Sequence, residues 1–323
     1  MKFTVLIPLY NKAAYIRNTL ESVLAQTFTD FEILVIDDGS TDAGAHVVED
    51  FSDDRIRLIH QRNAGVSAAR NRGIAEARGD WVAFLDADDW QHPEFLAALV
   101  LAQTTCPEAC AVATDFLRFP HTEGAWPPHW ALPSSQPQIE LITDLSARWM
   151  HGPSLCSSSV AVRRDLLQSM QPCFPVGESV GEDLDLWFRL SEKTPIALVH
   201  VPLAAYREAV AGSLSTQHNI SNVPPFFERI RDRALSGQMT PTQRRSALWL
   251  VAQHEVTLAR MAITAGQRAL SLRWLIRGRH AARGQRWWLT LAMTLFFPYH
   301  LVSRWQVWRI QRGRQVAPMN EAR

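Results

Sequence analysis

Cysteine is scarce: only four occur in 323 residues, Cys106, Cys110, Cys156 and Cys173. Cys106 and Cys110 are four apart and no Cys/His quartet with finger spacing follows, which excludes a zinc finger. So few thiols in so long a chain also exclude a small disulfide scaffold, and reduced, mostly buried cysteines are expected. The chain has no internal repeat and no low-complexity tract. No apolar run is long enough for a standard membrane-spanning helix, which needs about 20 residues. The N-terminus reads as a strand, Phe3–Leu9, with one charge before it. It lacks the longer apolar core and cleavage site of a signal peptide, so a cytoplasmic start is expected. Net charge is nearly absent too, at +1, but the sum hides a split. From Arg273 to Arg323 there are ten Arg against one acid, Glu321, giving +9, so the first 272 residues carry −8. Two physically separate jobs are implied.

Within a chain that is 47% apolar, Phe3–Leu9, Phe31–Asp37, Ile56–His60 and Trp81–Leu85 are runs of strand length. Between them lie helical periods such as Ile16, Leu20, Val23 and Leu24. Runs apolar on both faces and separated by helices predict parallel strands in a doubly wound, Rossmann-like sheet that binds ligands at its carboxyl edge. Further strands are expected at Ala109–Phe119, Leu155–Val162 and Ile196–Val201, and a helix at about Glu182–Glu192. The Pro- and Trp-rich stretch Pro120–Pro137 has no period and reads as a functional loop or lid. After Pro224-Pro225 the pattern turns helical, which puts a boundary near residue 222.

Acids gather where strands end, in Asp37-Asp38-Gly39-Ser40-Thr41-Asp42 and in Asp86-Ala87-Asp88-Asp89. Residues two apart in extended backbone point the same way, so Asp86 and Asp88 can face one ligand. Two such carboxylates call for a cation, and Mg²⁺ or Mn²⁺ shared with a diphosphate meets that need. Asp residues also cap helices and make turns, but a cap needs one Asp, not three. Asn63-Ala64-Gly65 followed by Ser67 and Arg70 suits an anion at a helix start, although Arg70 and Arg72 could equally be solvated. Ser179 and Glu182 have capping-box spacing. Asp183, at the same helix start and one turn before Trp187, suits a general base.

Taken in order, Pro8-Leu9-Tyr10-Asn11, Asp37 to Asp42, Asn63-Ala64-Gly65 with Ala69-Arg70-Asn71, Phe84 to Asp89 and Gly181-Glu182-Asp183 resemble glycosyltransferase family 2. The resemblance spans about residues 1–215 and is firm over 1–100. It implies a GT-A mixed sheet flanked by helices, followed by the C-terminal helical region. It also implies inverting sugar transfer from a nucleotide-sugar, a UDP-sugar first among the candidates, to a glycan or lipid-linked acceptor in surface polysaccharide or lipopolysaccharide synthesis. Residue by residue, it places Pro8 and Tyr10 along the nucleoside and Asp38 on the base, with Asn11, Asn63 and Arg70 on the donor side. Asp86 lies near ribose and metal, Asp88 ligates the metal, and Asp183 deprotonates the acceptor. The donor half is expected at 1–118 and the acceptor half at 119–222. The family's Tyr-Arg-x-His segment reads Tyr206-Arg207-Glu208-Ala209 here, so its His is missing; His218 is a substitute or an idle loop residue.

The tail 223–323 holds 17 uncharged residues, Trp287–Ser303, between Arg286 and Arg304. As a helix they reach about 25 Å against a hydrocarbon core of roughly 30 Å. Trp287, Trp288, Trp305 and Trp308 suit headgroup level, so peripheral association with the inner face of the cell membrane is expected, with a spanning helix or an oligomer contact as alternatives. No nucleic-acid recognition motif accompanies the arginines. A processive synthase would want Gln-x-x-Arg-Trp, whereas Leu270 and Leu301 stand at the Gln position. A non-catalytic sugar-nucleotide-binding protein is the reading from a different class.

Overall fold

In the N-terminal part, strands form at the short, largely apolar runs. In the computed structural model, which describes residues 1–120, 137–178, 180–208, 223–302 and 304, the four expected runs are β1 (Phe3–Leu9), β2 (Phe31–Asp37), β3 (Ile56–His60) and β4 (Trp81–Phe84). They lie parallel in the order β3-β2-β1-β4. Helices α1 (Ile16–Leu24), α2 (Gly44–Glu49) and α3 (Val66–Glu76) connect them. The α1 stripe Ile16, Leu20, Val23 is fully buried, as its period requires. A Cβ on Gly73 would fall 2.0 Å from Leu6 Cδ1, so only glycine lets α3 lie this close to β1.

The chain continues through β5 (Trp90–Gln91), α4 (Phe95–Thr105), β6 (Ala111–Pro120), β7 (Ile139–Ile142), α5 (Leu145–Trp149), β8 (Val160–Arg163), α6 (Arg164–Ser169), α7 (Glu182–Ser191) and β9 (Ile196–Glu208). Strand β8 inserts between β4 and β6, antiparallel to both, while β9 runs parallel to β6 and antiparallel to β5 and β7. The sheet is therefore mixed, and the all-parallel pattern ends at β4. Strand β8 is shorter than expected because a 3₁₀ turn, Ser157–Ser159, precedes it. Strand β9 outruns its expected end at Val201 by seven residues: a register irregularity around Asp115, where Pro202 pairs, absorbs the proline. That extension delivers Tyr206 and Arg207 to the carboxyl edge.

Register fixes where the chemistry can sit. Leu9 pairs with Asp37 and Asp37 with His60, so β1, β2 and β3 end level. Phe84 pairs with Leu6, so β4 leaves the sheet earlier and its aspartates follow in a turn.

The structure divides into two compact units, Met1–His218 and Asn219–Arg323. The second contains α8 (Pro225–Leu235), α9 (Pro241–Thr264), α10 (Arg268–Arg277) and α11 (Gln285–Phe296). A reciprocal Thr240–Gln243 capping box with Pro241 at the first position starts α9. Helix α9 buries Val256, Ala259 and Ile263, and its fully buried Glu255 is held by Arg231 at 2.5 Å and Arg277 at 2.7 Å. The uncharged run does not form one helix: α11 stops at Phe296, Phe297 turns extended ahead of Pro298, and residues 299–302 are helical again. Among the described residues no helix is long and apolar enough to cross a membrane.

Candidate active site

The loops after β1, β2 and β3 are sewn together by side chains the sequence marked as ligand contacts. Tyr10 leaves β1 with 47% of its surface exposed. Asn11 adopts φ 52°, and its Oδ1 accepts from the Thr41 amide (2.8 Å), the Thr41 hydroxyl (3.2 Å) and the Asp42 amide (3.3 Å). Asp38 is buried; its carboxylate accepts from Gln61 Nε2 (2.6 Å) and from the Ala64 and Gly65 amides (2.9 and 2.8 Å). Gly39, at φ 71°, lies so near Asn63 that a Cβ would approach the Asn63 amide nitrogen to 2.9 Å. Asn63 itself is exposed and Pro8 half-buried. Asn11 and Asp38 thus shape the rim by holding its backbone.

The Asp86–Asp89 turn divides its carboxylates between two tasks. Asp89 is buried, accepting from the Ser158 hydroxyl (2.5 Å) and the Arg207 amide (2.9 Å). Burial, reinforced by Asp88 and Asp86, pushes its carboxyl well above the usual range. It ties the turn to the residues before β8 and to the end of β9, while Arg207 Nε donates to the Asp88 carbonyl at 3.0 Å. Asp88 and Asp86 keep part of their surface, 14% and 28% of the side chain. Lys12 Nζ stands 2.5 Å from Asp88 Oδ2. Asp86 pairs with Arg70, whose two amino nitrogens reach Asp86 Oδ1 at 2.7 Å and Glu182 Oε1 at 2.9 Å.

That last contact corrects one expectation. Arg70 does not stand open to a diphosphate: its side chain is 4% exposed, lies over the Phe174 ring at 5.2 Å, and is spent on two carboxylates. Burial alone would lower its pKa, yet Asp86, Glu182 and Asp183 hold it well above the ordinary guanidinium value. The start of α7 is set by glycine. Its cap residue is Gly181, at φ 71° and without a side-chain cap bond, and Glu182 pairs with Arg70; the expected Ser179–Glu182 box involves Ser179, which lies outside the described residues. Trp187 is fully buried and packs edge-on against Phe84 and Phe174, with ring centroids 5.6 and 6.4 Å away, so it belongs to the core.

Asp183 lies half-buried in the first turn of α7. Its Oδ1 accepts from the Leu184 amide at 2.7 Å and its Oδ2 from the Ser157 hydroxyl at 3.2 Å. Burial raises its carboxyl above the usual range, with Arg70 opposing and Asp86 adding to the rise. Asp86 and Asp183 are therefore coupled through one guanidinium, although 97 positions separate them in the sequence.

Among the described residues no three His, Cys, Asp or Glu side chains form a ready-made metal cluster. The donor set is instead Asp88 with Asp86 nearby, hard oxygens in small number. That set fits an ion such as Mg²⁺ or Mn²⁺, which takes one or two carboxylates and fills its remaining positions from phosphate and water. The Lys12 ammonium meanwhile balances Asp88.

Sequence reasoning missed Lys12, Ser157 and Ser158, and it read Arg207 only as part of a segment. None carries a motif of its own; each is recruited by pairing across the sheet. Ala209, Ser213, Ser215 and His218, the loop 121–136, and Trp305 and Trp308 fall outside the described residues.

The model of the family "Glycosyl transferase family 2" matches residues 4–170. The chain belongs to that family. It is 32% identical to an uncharacterized glycosyltransferase of Nostoc over 64% of this chain and 65% of that protein. It is 45% identical to glycosyltransferase GlyA of Streptococcus pneumoniae over 30% of this chain, but only 14% of that one, so the match spans a small part of that relative. Among solved structures, S. aureus TarS 1–349 in complex with UDP-GlcNAc matches with a TM-score of 0.69 at 19% identity, covering 94% of this chain and 91% of that one. GalNAc-T7 with UDP, GalNAc and Mn²⁺ matches at 0.50 and 14% identity over 68% of this chain and 46% of that one. The fold is GT-A.

The Arg70 pairings make a direct prediction. Arg70→Met strands Asp86 and Glu182, and should cost about 3–5 kcal/mol of stability, as removal of one partner from a buried ion pair does. Urea unfolding checks this; an unchanged midpoint would refute the bridge.

Proposed function

We propose that the protein is an inverting, metal-dependent glycosyltransferase that moves one sugar from a nucleotide-sugar, a UDP-sugar in the first instance, to a hydroxyl of a glycan or lipid-linked acceptor. The observation that carries this reading is the placement of Asp183: a half-buried carboxylate fixed by Ser157 and Leu184, in one charged network with Asp86. UDP-sugar and UDP in the solved relatives support the donor class, and Mn²⁺ in one supports the metal.

The donor is assigned to the rim built by Pro8, Tyr10, Asn11, Asp38 and Asn63, with Asp86 toward the ribose; Arg70 acts indirectly by holding Asp86. Asp88 and Asp86 would hold Mg²⁺ or Mn²⁺, which when bound offsets charge on the leaving diphosphate. The acceptor O–H gives its proton to the Asp183 carboxylate. The freed oxygen pair bonds to the anomeric carbon opposite the diphosphate, and the breaking C–O bond leaves its electrons on the diphosphate. One carboxylate on one face implies inversion. The arginine-rich C-terminal unit is assigned to the cytoplasmic face of the cell membrane, which would bring the site to a lipid-linked acceptor in polysaccharide or lipopolysaccharide synthesis.

Asp183→Asn should cut transfer by about 10²–10⁴-fold, the usual worth of a general base, with donor binding intact. Because the Asp183 pKa is raised, the active ionised form is lost as pH falls through a value above the ordinary carboxylate range of about 4. The acid limb of kcat should lie correspondingly high. Near-normal turnover of the variant, or an acid limb at an ordinary carboxylate value, would remove Asp183 as the base.

Asp88 yields a second test, read without turnover. Mn²⁺ binding followed by electron paramagnetic resonance should weaken sharply in Asp88→Ala. In Lys12→Met it should strengthen several-fold, since the competing ammonium is gone. Identical titrations in both variants and the parent would contradict a cation at Asp88.

A further inference from the structure

Helix α11 exposes large apolar side chains while burying polar ones. A soluble helix turns its apolar stripe inward and its polar face to water. Here the inward side is mixed: Met293 is buried and Trp287 and Leu291 pack on the core of the unit, but Thr290 and Thr294 are buried beside them, Thr290 accepting from Arg260 Nε at 2.8 Å and Thr294 meeting the Ser271 hydroxyl at 2.9 Å. Arg286 turns the same way, donating to Gln253 Oε1 at 2.9 Å and to Thr257 Oγ1 at 2.7 Å. The outward residues are apolar: Trp288, Leu289, Leu295 and Phe296 are exposed by 58, 45, 47 and 77%. On a helix they recur at spacings of one, six and one, which puts all four on one side. Phe297 and Tyr299 extend the surface, exposed by 49 and 56%. Even the polar atom of Trp288 is turned away, its Nε1 donating to the Ala282 carbonyl at 2.7 Å.

We infer that this outward face of α11 is the surface that enters the headgroup layer of an anionic membrane. The inference rests on the membrane assignment above and adds the face that makes contact. Charge selects the occupant: exposed Arg268, Arg273, Arg279, Arg283 and Arg304 surround the apolar run, with no acid between Arg268 and Arg304. A second copy of this chain would bring the same arginines against one another, whereas an acidic lipid surface complements them. Tryptophan and tyrosine, apolar bodies with one polar atom, suit that depth. The face is too short to span and long enough to lie flat.

Flotation of the full chain with phosphatidylcholine vesicles, with and without phosphatidylglycerol, tests this. The protein should float with the anionic vesicles and not with the neutral ones. The pair Leu289→Gln and Phe296→Gln, both exposed and so tolerated by the fold, should lower binding at least tenfold, while UDP-sugar binding stays unchanged. Arg273→Glu with Arg283→Glu should also release the protein. A parent that ignores both vesicles would overturn the membrane assignment itself. A parent that floats equally well with Leu289 and Phe296 replaced would overturn only this face. A dimer in sedimentation velocity that those replacements dissociate would give the face to a second copy.

Discussion

The guanidinium of Arg70, held between Asp86 at 2.7 Å and Glu182 at 2.9 Å, is the contact on which the catalytic unit depends. One partner follows β4, at the edge of the parallel half of the sheet; the other opens α7, in the mixed half. Burying a cation is costly unless it is paired and hydrogen-bonded, and here two carboxylates do both. The result joins the proposed donor side to the proposed base with fixed spacing. Asn71 adds to the same joint, exchanging hydrogen bonds with the Phe174 backbone at 2.7 and 2.9 Å.

Much of this was legible in the sequence, and the limits have physical causes. Strands β1, β2 and β4 were readable because both faces are buried, which leaves nearly continuous apolar runs; β3, half-buried at the sheet edge, was readable from Ile56, Leu58 and Ile59. The acidic turns were readable because they sit where such strands end. The reach of β9 was not, because Pro202 ends the apparent strand and only a register irregularity in the pairing with β6 lets it continue. The task of Arg70 was hidden as well: its partners lie 16 and 112 residues away, and helix position alone could not tell a diphosphate ligand from an internal bridge. Lys12 and Asp88 meet across 76 residues. Local pattern identifies which elements form; charge pairing between elements decides which charged residues remain open to a ligand.

The same distinction governs the C-terminal unit. Its composition, ten Arg from Arg273 onward against one acid, marked a surface role without showing which side faces out. The fold spends Arg260 and Arg286 on threonines and glutamine inside and leaves Trp288, Leu289, Leu295 and Phe296 of α11 outside. In the function proposed, a unit with excess acid carries the sugar chemistry and a basic unit with an apolar face carries the placement.

The stereochemistry of transfer bears most directly on a single base acting opposite a leaving diphosphate. Proton NMR of the first sugar released when water replaces the acceptor on an α-linked UDP-sugar should show the β-anomer ahead of mutarotation. Initial release of the α-anomer would contradict the assignment of Asp183 and the one-step displacement built on it.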